Sequence, residues 1–197
     1  MSENLEWKTP RIKEVDPDAY EPSPEQLQRF RLFSETLKKF DEHHVRYSVV
    51  GGYGLDGLYG KLTRDHDDID LFVVSEDAGK ARDCIKNLNF ELTLVKAWGT
   101  EVYMQDATHT KLELVFPNAD DLPKELDSSH FFPDADNAVI QGSSFRTEFR
   151  ALTLEGQEAN HRSQNERAKK LGWREYPHSD TKNMLFERIR SRRRTPE

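Results

Sequence analysis

Read as a string of apolar and polar positions, the chain changes period several times. From Ser23 onward, Leu27, Phe30, Phe33, Leu37 and Phe40 recur at helical spacing and predict an amphipathic helix packed on a sheet. Ser23 suits the cap and Pro24 the first helical position. His43 and His44 close this helix, where imidazolium favours the negative end of the dipole, and they do not read as metal ligands. Tyr47 to Val50 is a compact β-prone run stopped by Gly51-Gly52. Leu55, Leu58 and Tyr59 then predict a short helix that Gly60 ends. Ile69 and Leu71 to Val74 are continuous and partly β-branched, as in a buried strand. Residues 77–88 predict a helix with Ala78, Ala81, Ile85 and Leu88 inward. Residues 89–95, 101–105 and 111–116 predict three strands, with turns at Trp98-Gly99 and over 106–110. Ala138-Val139-Ile140 suggests a short strand and Gly142-Ser143-Ser144 a turn. Phe149, Leu152 and Leu154 predict a helical segment over 145–164, weakened by Gly156. Helices over 167–173 and 180–190 follow, separated by Pro177.

Two stretches lack a period. Residues 1–22 are polar and proline-bearing, an arm that either lies on the surface or is disordered. Residues 117–137 are acidic, with Phe131-Phe132 in their midst, and read as a long loop or a substrate-side flap. The pattern therefore divides the chain into an arm (1–22), an α/β domain (23–140) and a helical C-terminal region (141–197).

Composition narrows the function. The net charge of -7 argues against a nucleic acid as main substrate and favours, modestly, a cationic small molecule. The arginines between Arg188 and Arg194 read as a solvated helix end rather than a nucleic-acid tail. The single cysteine, Cys84, excludes an internal disulfide and sits where a packing residue is expected. No apolar run approaches the ~20 residues of a membrane span, and no basic-then-apolar leader is present, so the expected location is cytoplasmic.

The chemistry concentrates at the mouth of the second strand. Asp68 and Asp70 lie two apart, on one face, with Cα atoms ~6.5 Å from each other. Paired carboxylates repel unless a cation lies between them, and a hard divalent ion such as Mg²⁺ is the natural filling. The Gly51-Gly52 turn upstream offers backbone N–H groups to a phosphate. Metal and phosphate cradle together point to phosphoryl or nucleotidyl transfer. Glu113, between Leu112 and Leu114 in a predicted central strand, is an acidic outlier that needs a partner.

Gly51-Gly52-Tyr53-Gly54-Leu55-Asp56, then Gly60, Thr63-Arg64 and His66-Asp67-Asp68-Ile69-Asp70, resemble the antibiotic nucleotidyltransferases. Among these the stretch looks most like the aminoglycoside 2''-adenylyltransferases and lincosamide nucleotidyltransferases of the polymerase-β-like superfamily. The resemblance implies an α/β (α+β) fold. A polymerase-β-like core over 23–140, a small mixed sheet with helices, would precede a mostly helical C-terminal part. It implies two Mg²⁺ ions and ATP or another nucleoside triphosphate as co-substrate, with AMP or another nucleotide passing to a hydroxyl of a small molecule. Asp68 and Asp70 would hold the metal. Glu113 matches the family's third acidic position, often aspartate, and would act as ligand, base or both.

Gly51 and Gly52 would hold the triphosphate, with Tyr53 beneath where the family commonly has tryptophan. Ser179-Asp180-Thr181-Lys182 resembles a helix start whose lysine reaches the phosphates, against a plain surface lysine. Arg64 suits a phosphate or a strand-end ion pair, and Thr63 a hydrogen-bonding neighbour. His66 would orient carboxylates, touch phosphate or serve the structure alone. Asp65 and Asp67 precede the strand and read as loop residues, while Asp56 is ambiguous. Two other readings stay open: an antitoxin-like enzyme modifying a protein hydroxyl, and a non-catalytic nucleotide-binding module. The acceptor site is expected from residues 101–105, 117–137 and the C-terminal helices.

Overall fold

The computed structural model describes residues 16–96, 99–116, 135–170 and 179–194. Most of the N-terminal arm, Trp98, most of the 117–137 stretch with both its phenylalanines, and Pro177 lie outside them. The first helix, α1, runs Pro24–Glu42, with the Ser23 hydroxyl accepting from the Gln26 N–H at 3.1 Å. Its Phe30, Phe33, Leu37 and Phe40 are buried, as their spacing requires. Strand β1 (Tyr47–Val50) leads without a loop into α2 (Gly51–Tyr59), so the helix begins at the glycine pair itself. It ends on Gly60 in a left-handed conformation. Strand β2 (Asp68–Val73) and α3 (Ala78–Lys86) follow, then β3 (Glu91–Lys96), β4 (Thr100–Gln105) and β5 (Thr110–Val115).

After residue 134 come β6 (Asp136–Gln141), β7 (Arg146–Ala151), α4 (Leu154–Lys170) and α5 (Ser179–Arg194). Strand β7 corrects the expectation of a helix from Phe145. Phe149 and Ala151 are buried while Arg146, Glu148 and Arg150 are exposed, a period of two. The division expected after residue 140 falls inside the β6–β7 hairpin, which pairs Asp136 with Ala151 through to Gln141 with Arg146.

Seven strands form one mixed sheet in the order β3-β4-β5-β2-β1-β7-β6. β1 runs antiparallel to β2, with Val50 opposite Asp70, and parallel to β7, with Val49 opposite Ala151. β2 runs parallel to β5, and Asp70 lies opposite Glu113. One face carries Val49, Ile69, Leu71, Leu112 and Leu114 against α1 and α3 in the main core. Each such side chain contributes about 1.5–3 kcal/mol by leaving water. The other face begins with Val50, Phe72 and Val115, which meet Leu152 and Ala159 of α4. Alternation along the strands therefore turns Asp68, Asp70 and Glu113 toward the α4 side, away from the main core.

The two ends of the described chain meet. Leu185, Phe186 and Ile189 of α5 pack on Leu55 and Tyr59 of α2. Arg188 reaches Asp16 at 2.9 Å and Asp18 at 3.1 Å, while Arg192 donates to the Tyr59 carbonyl at 2.9 Å and stacks on its ring. The arginine-rich end is thus a clasp on residues 16–20. Among the described residues, no helix is long and apolar enough to cross a membrane.

Candidate active site

The parallel register of β2 on β5 brings the three predicted carboxylates to one patch. Asp68 and Asp70 share a face of β2, and Glu113 stands beside Asp70 on β5. Burial, then the charges of Asp68 and Glu113, push the Asp70 carboxyl well above its usual range. Burial also works to raise Asp68, but the Lys111 ammonium outweighs it and holds Asp68 below its usual range. Lys111 lies 2.9 Å from Asp68 and 3.1 Å from Glu113, and Lys96 of β3 adds a 2.8 Å contact to Glu113. As they stand, no three Asp, Glu, His or Cys side chains among the described residues converge closely enough to enclose a metal ion. The donor chemistry nevertheless suits a hard divalent cation. The oxygens are all carboxylate, and two of the groups already share a stand-in positive charge from Lys111.

The glycine pair closes on this patch from the end of β1. Gly51 has φ +67°, and a Cβ there would sit 2.4 Å from Asp70 Oδ2, so the backbone approaches the carboxylate as only glycine allows. A Cβ on Gly52 would sit 2.3 Å from His66 Nδ1 and 2.9 Å from the Arg64 guanidinium. The N-terminus of α2, with its unpaired N–H groups, is therefore bordered by Asp70, His66 and Arg64.

Beneath it lies a buried polar network. Asp56 accepts from the Thr63 hydroxyl at 2.5 Å, from the Thr63 N–H at 3.1 Å and from His66 Nε2 at 2.6 Å. A carboxylate only accepts, so the His66 proton sits on Nε2, and Nδ1 is buried with no hydrogen-bond partner. Burial holds the His66 pKa below its ordinary value. The His66 N–H is taken by Gln26 at 2.8 Å, and Gln26 donates to the Tyr53 hydroxyl at 3.0 Å. Tyr53 in turn stacks on Phe33 with ring centres 4.4 Å apart.

Thr63, 1 % exposed, thus sits under the glycine pair and spends both its donors on Asp56. Arg64 donates to the Asp65 carbonyl at 2.7 Å while keeping its guanidinium against Gly52. Asp65 and Asp67 face away from the patch: the first accepts from Tyr20, the second from Arg29 at 3.0 Å. Lys182 is the candidate that sequence spacing alone places least well. It stands on α5, buried, and burial holds its pKa below the ordinary lysine value while Asp70 and Asp68 pull the other way. The Arg64 charge also works to lower it.

Four participants escaped the sequence reading. Lys96 and Lys111 look like strand termini, Gln26 like an ordinary helix position, and His161 like a polar residue of a weak helix. His161 of α4 is 4 % exposed, its Nδ1 lacks a hydrogen-bond partner, and burial and the Lys182 charge hold its pKa down to about 4. The one available signal was the (i, i+2) repetition Lys111-Leu112-Glu113, which puts a cation and an anion on the same strand face.

Solved structures share this architecture. The antibiotic-resistance factor ANT(2'')-Ia in solution superposes with a TM-score of 0.65 at 20% identity, over 86% of this chain and 92% of that one. A crystal structure of ANT(2'')-Ia in complex with adenylyl-2''-tobramycin gives 0.61 at 20% identity, over 84% and 99%. The lincomycin-bound lincosamide antibiotic adenylyltransferase LnuA gives 0.53 at 16% identity, over 87% and 99%. At these identities the likeness is one of fold. A search of curated proteins finds no match. The sequence profile of the aminoglycoside-2''-adenylyltransferases, however, matches residues 33–184, from within α1 to just past Lys182. A match over most of the chain, on the fold and register described above, makes this protein a member of the aminoglycoside-2''-adenylyltransferase family and a nucleotidyltransferase.

Proposed function

We propose that the chain transfers a nucleoside monophosphate, AMP from ATP foremost, to a hydroxyl of a small-molecule acceptor of the aminoglycoside or lincosamide kind. Family membership implies a nucleoside triphosphate and a divalent metal in general terms. Two Mg²⁺ ions held by Asp68, Asp70 and Glu113 are the specific form we infer. Bound there, the ions would supply charge stabilisation for the attacking and leaving oxygens. The observation that carries the reading is the β2–β5 register, which sets Asp70 opposite Glu113 beside a glycine pair that opens a helix.

The chain's own residues account for the remaining requirements. The N–H groups of Gly51 and Gly52 would bind the triphosphate at the positive end of α2, with Arg64 and Lys182 neutralising its charge. His66, fixed by Asp56 and the Gln26 carbonyl oxygen, keeps the floor of that cradle rigid. The acceptor oxygen forms a bond to the α-phosphorus, the bond to the bridging oxygen breaks, and pyrophosphate leaves. Glu113, in its role as base, takes the hydroxyl proton. The arginines of α5 support a small acceptor over a nucleic acid, since Arg188, Arg190, Arg192 and Arg193 are spent on acidic residues of the same chain.

The test is pyrophosphate release from each nucleoside triphosphate with Mg²⁺, across aminoglycosides, lincosamides and a cell extract. Release with one antibiotic, and its loss by 10²-fold or more in Asp70→Asn, is the expected result, in line with removal of an electrostatic catalytic group. Full activity in that variant refutes the assignment, and, with labelled ATP and cell extract, label appearing only on protein bands moves the acceptor to a protein hydroxyl.

A further inference from the structure

The carboxylate patch already contains a cation, and it belongs to the chain. Lys111 is the second residue of β5, two residues before Glu113 and on the same strand face. Its ammonium is 2.9 Å from Asp68 Oδ2 and 3.1 Å from Glu113 Oε1, bridging β2 and β5 across the mouth of the site. The side chain is 36 % exposed and its stem has freely rotating bonds, so the ammonium has a way out to water. Its two ion pairs hold it between the strands. An ion ligated by these same carboxylates needs the oxygens that Lys111 occupies, and two cations cannot share them without strong repulsion.

We propose that Lys111 is an internal counter-cation, which clamps Asp68 to Glu113 in the metal-free protein and is displaced when the divalent ion binds. This rests on the reading of Asp68, Asp70 and Glu113 as the metal ligands. The ion pairs of Lys111 are then part of the free energy of metal binding, and the chain sets its own metal affinity through a residue that is not a ligand. Among the described carboxylates of the patch Lys96 pairs with Glu113, at 2.8 Å, and contributes less to the same competition.

The experiment is a titration of the purified full chain with Mn²⁺ alone, followed by electron paramagnetic resonance, for the wild type, Lys111→Met, Lys111→Arg, Lys96→Met and Asp70→Asn. Lys111→Met is expected to bind Mn²⁺ about tenfold tighter, the loss of one or two charged hydrogen bonds that the ion otherwise has to break. Lys111→Arg should bind no tighter than the wild type, and Lys96→Met should lie between the two. Without metal, Lys111→Met should melt lower than the wild type and gain more on adding Mn²⁺. Equal or weaker binding by Lys111→Met overturns the proposal.

Should that variant fail to fold, acetylation of Lys111 in the wild type, read by mass spectrometry, decides the matter. Mg²⁺ should accelerate it by freeing the ammonium, and an unchanged or slower rate overturns the proposal. Unaltered Mn²⁺ binding in Asp70→Asn removes the ligand assignment itself. Binding lost in Asp70→Asn but unchanged in Lys111→Met removes only the role of Lys111.

Discussion

Gly52 has no room for even one more carbon. Its Cα faces the edge of the His66 ring, and the displaced ring would drag Asp56 and Thr63 with it. Gly52→Ala should therefore lower stability by about 1–3 kcal/mol, the usual cost of overpacking, and weaken nucleotide binding together with it. Thermal melting with and without ATP checks both. His161 offers a cleaner measurement. In the folded chain it resists protonation until about pH 4, whereas the unfolded chain takes up the proton near 6.5. Between those values the unfolded state binds more protons, so acidification from pH 6.5 toward 4 erodes stability through this group. Melting temperatures of His161→Gln should fall less over that window than those of the wild type. Parallel curves would mean that His161 is not the titrating group. That Asp68 and Asp70 share a strand face and that the glycine pair opens a helix could be read from spacing, because both are matters of local geometry. The surroundings of Lys111 and His161 could not, because the first meets Asp68 through a register between distant strands and the second meets the Lys182 charge through the docking of α5.

The clasp between α5 and the N-terminal arm acts on the helix that carries Lys182. Arg188 and Arg192 fasten the far end of α5 to Asp16, Asp18 and Tyr59, and Tyr59 itself donates to Asp18 at 2.8 Å. Single exposed pairs are worth little, 0–1 kcal/mol each, but these share partners and hold one element in one place. Asp18→Ala and Arg192→Ala should each raise KM for the nucleotide a few-fold with little change in kcat, more so at low salt where the wild-type clasp is strongest. In the double variant the two effects should not add. Additive losses would show that the residues act independently. At this scale the sequence was legible wherever a stripe was long and capped, as in α1. Strand β7 was lost because Phe149, Leu152 and Leu154 mimic helical spacing across a strand end, and the pairings that decide against it, with β6 and of Ala151 with Val49, are made with strands elsewhere in the chain.

The whole molecule is organised about β1, which lies between β2 on one edge and β7 on the other. A chain cut at residue 140, where periodicity alone places a boundary, keeps all three carboxylates but loses β7 and both later helices. Such a fragment should be insoluble or bind no nucleotide, because the β1 edge and the Val50–Phe72 side of the sheet would face water. A soluble fragment that still binds ATP would make residues 141–197 a dispensable appendage.

The same arrangement has a consequence in time. β1 leaves the ribosome about a hundred residues before the strand that pairs with its second edge. At ordinary elongation rates that is roughly 5–20 s during which Val49 and Val50 wait beside an open row of backbone donors and acceptors. The site residues through Glu113 are all synthesised within that interval, yet Lys182 is not. For its first seconds the nascent chain is a sheet with a sticky edge, and its yield in a cell should track chaperone supply rather than the stability of the finished fold.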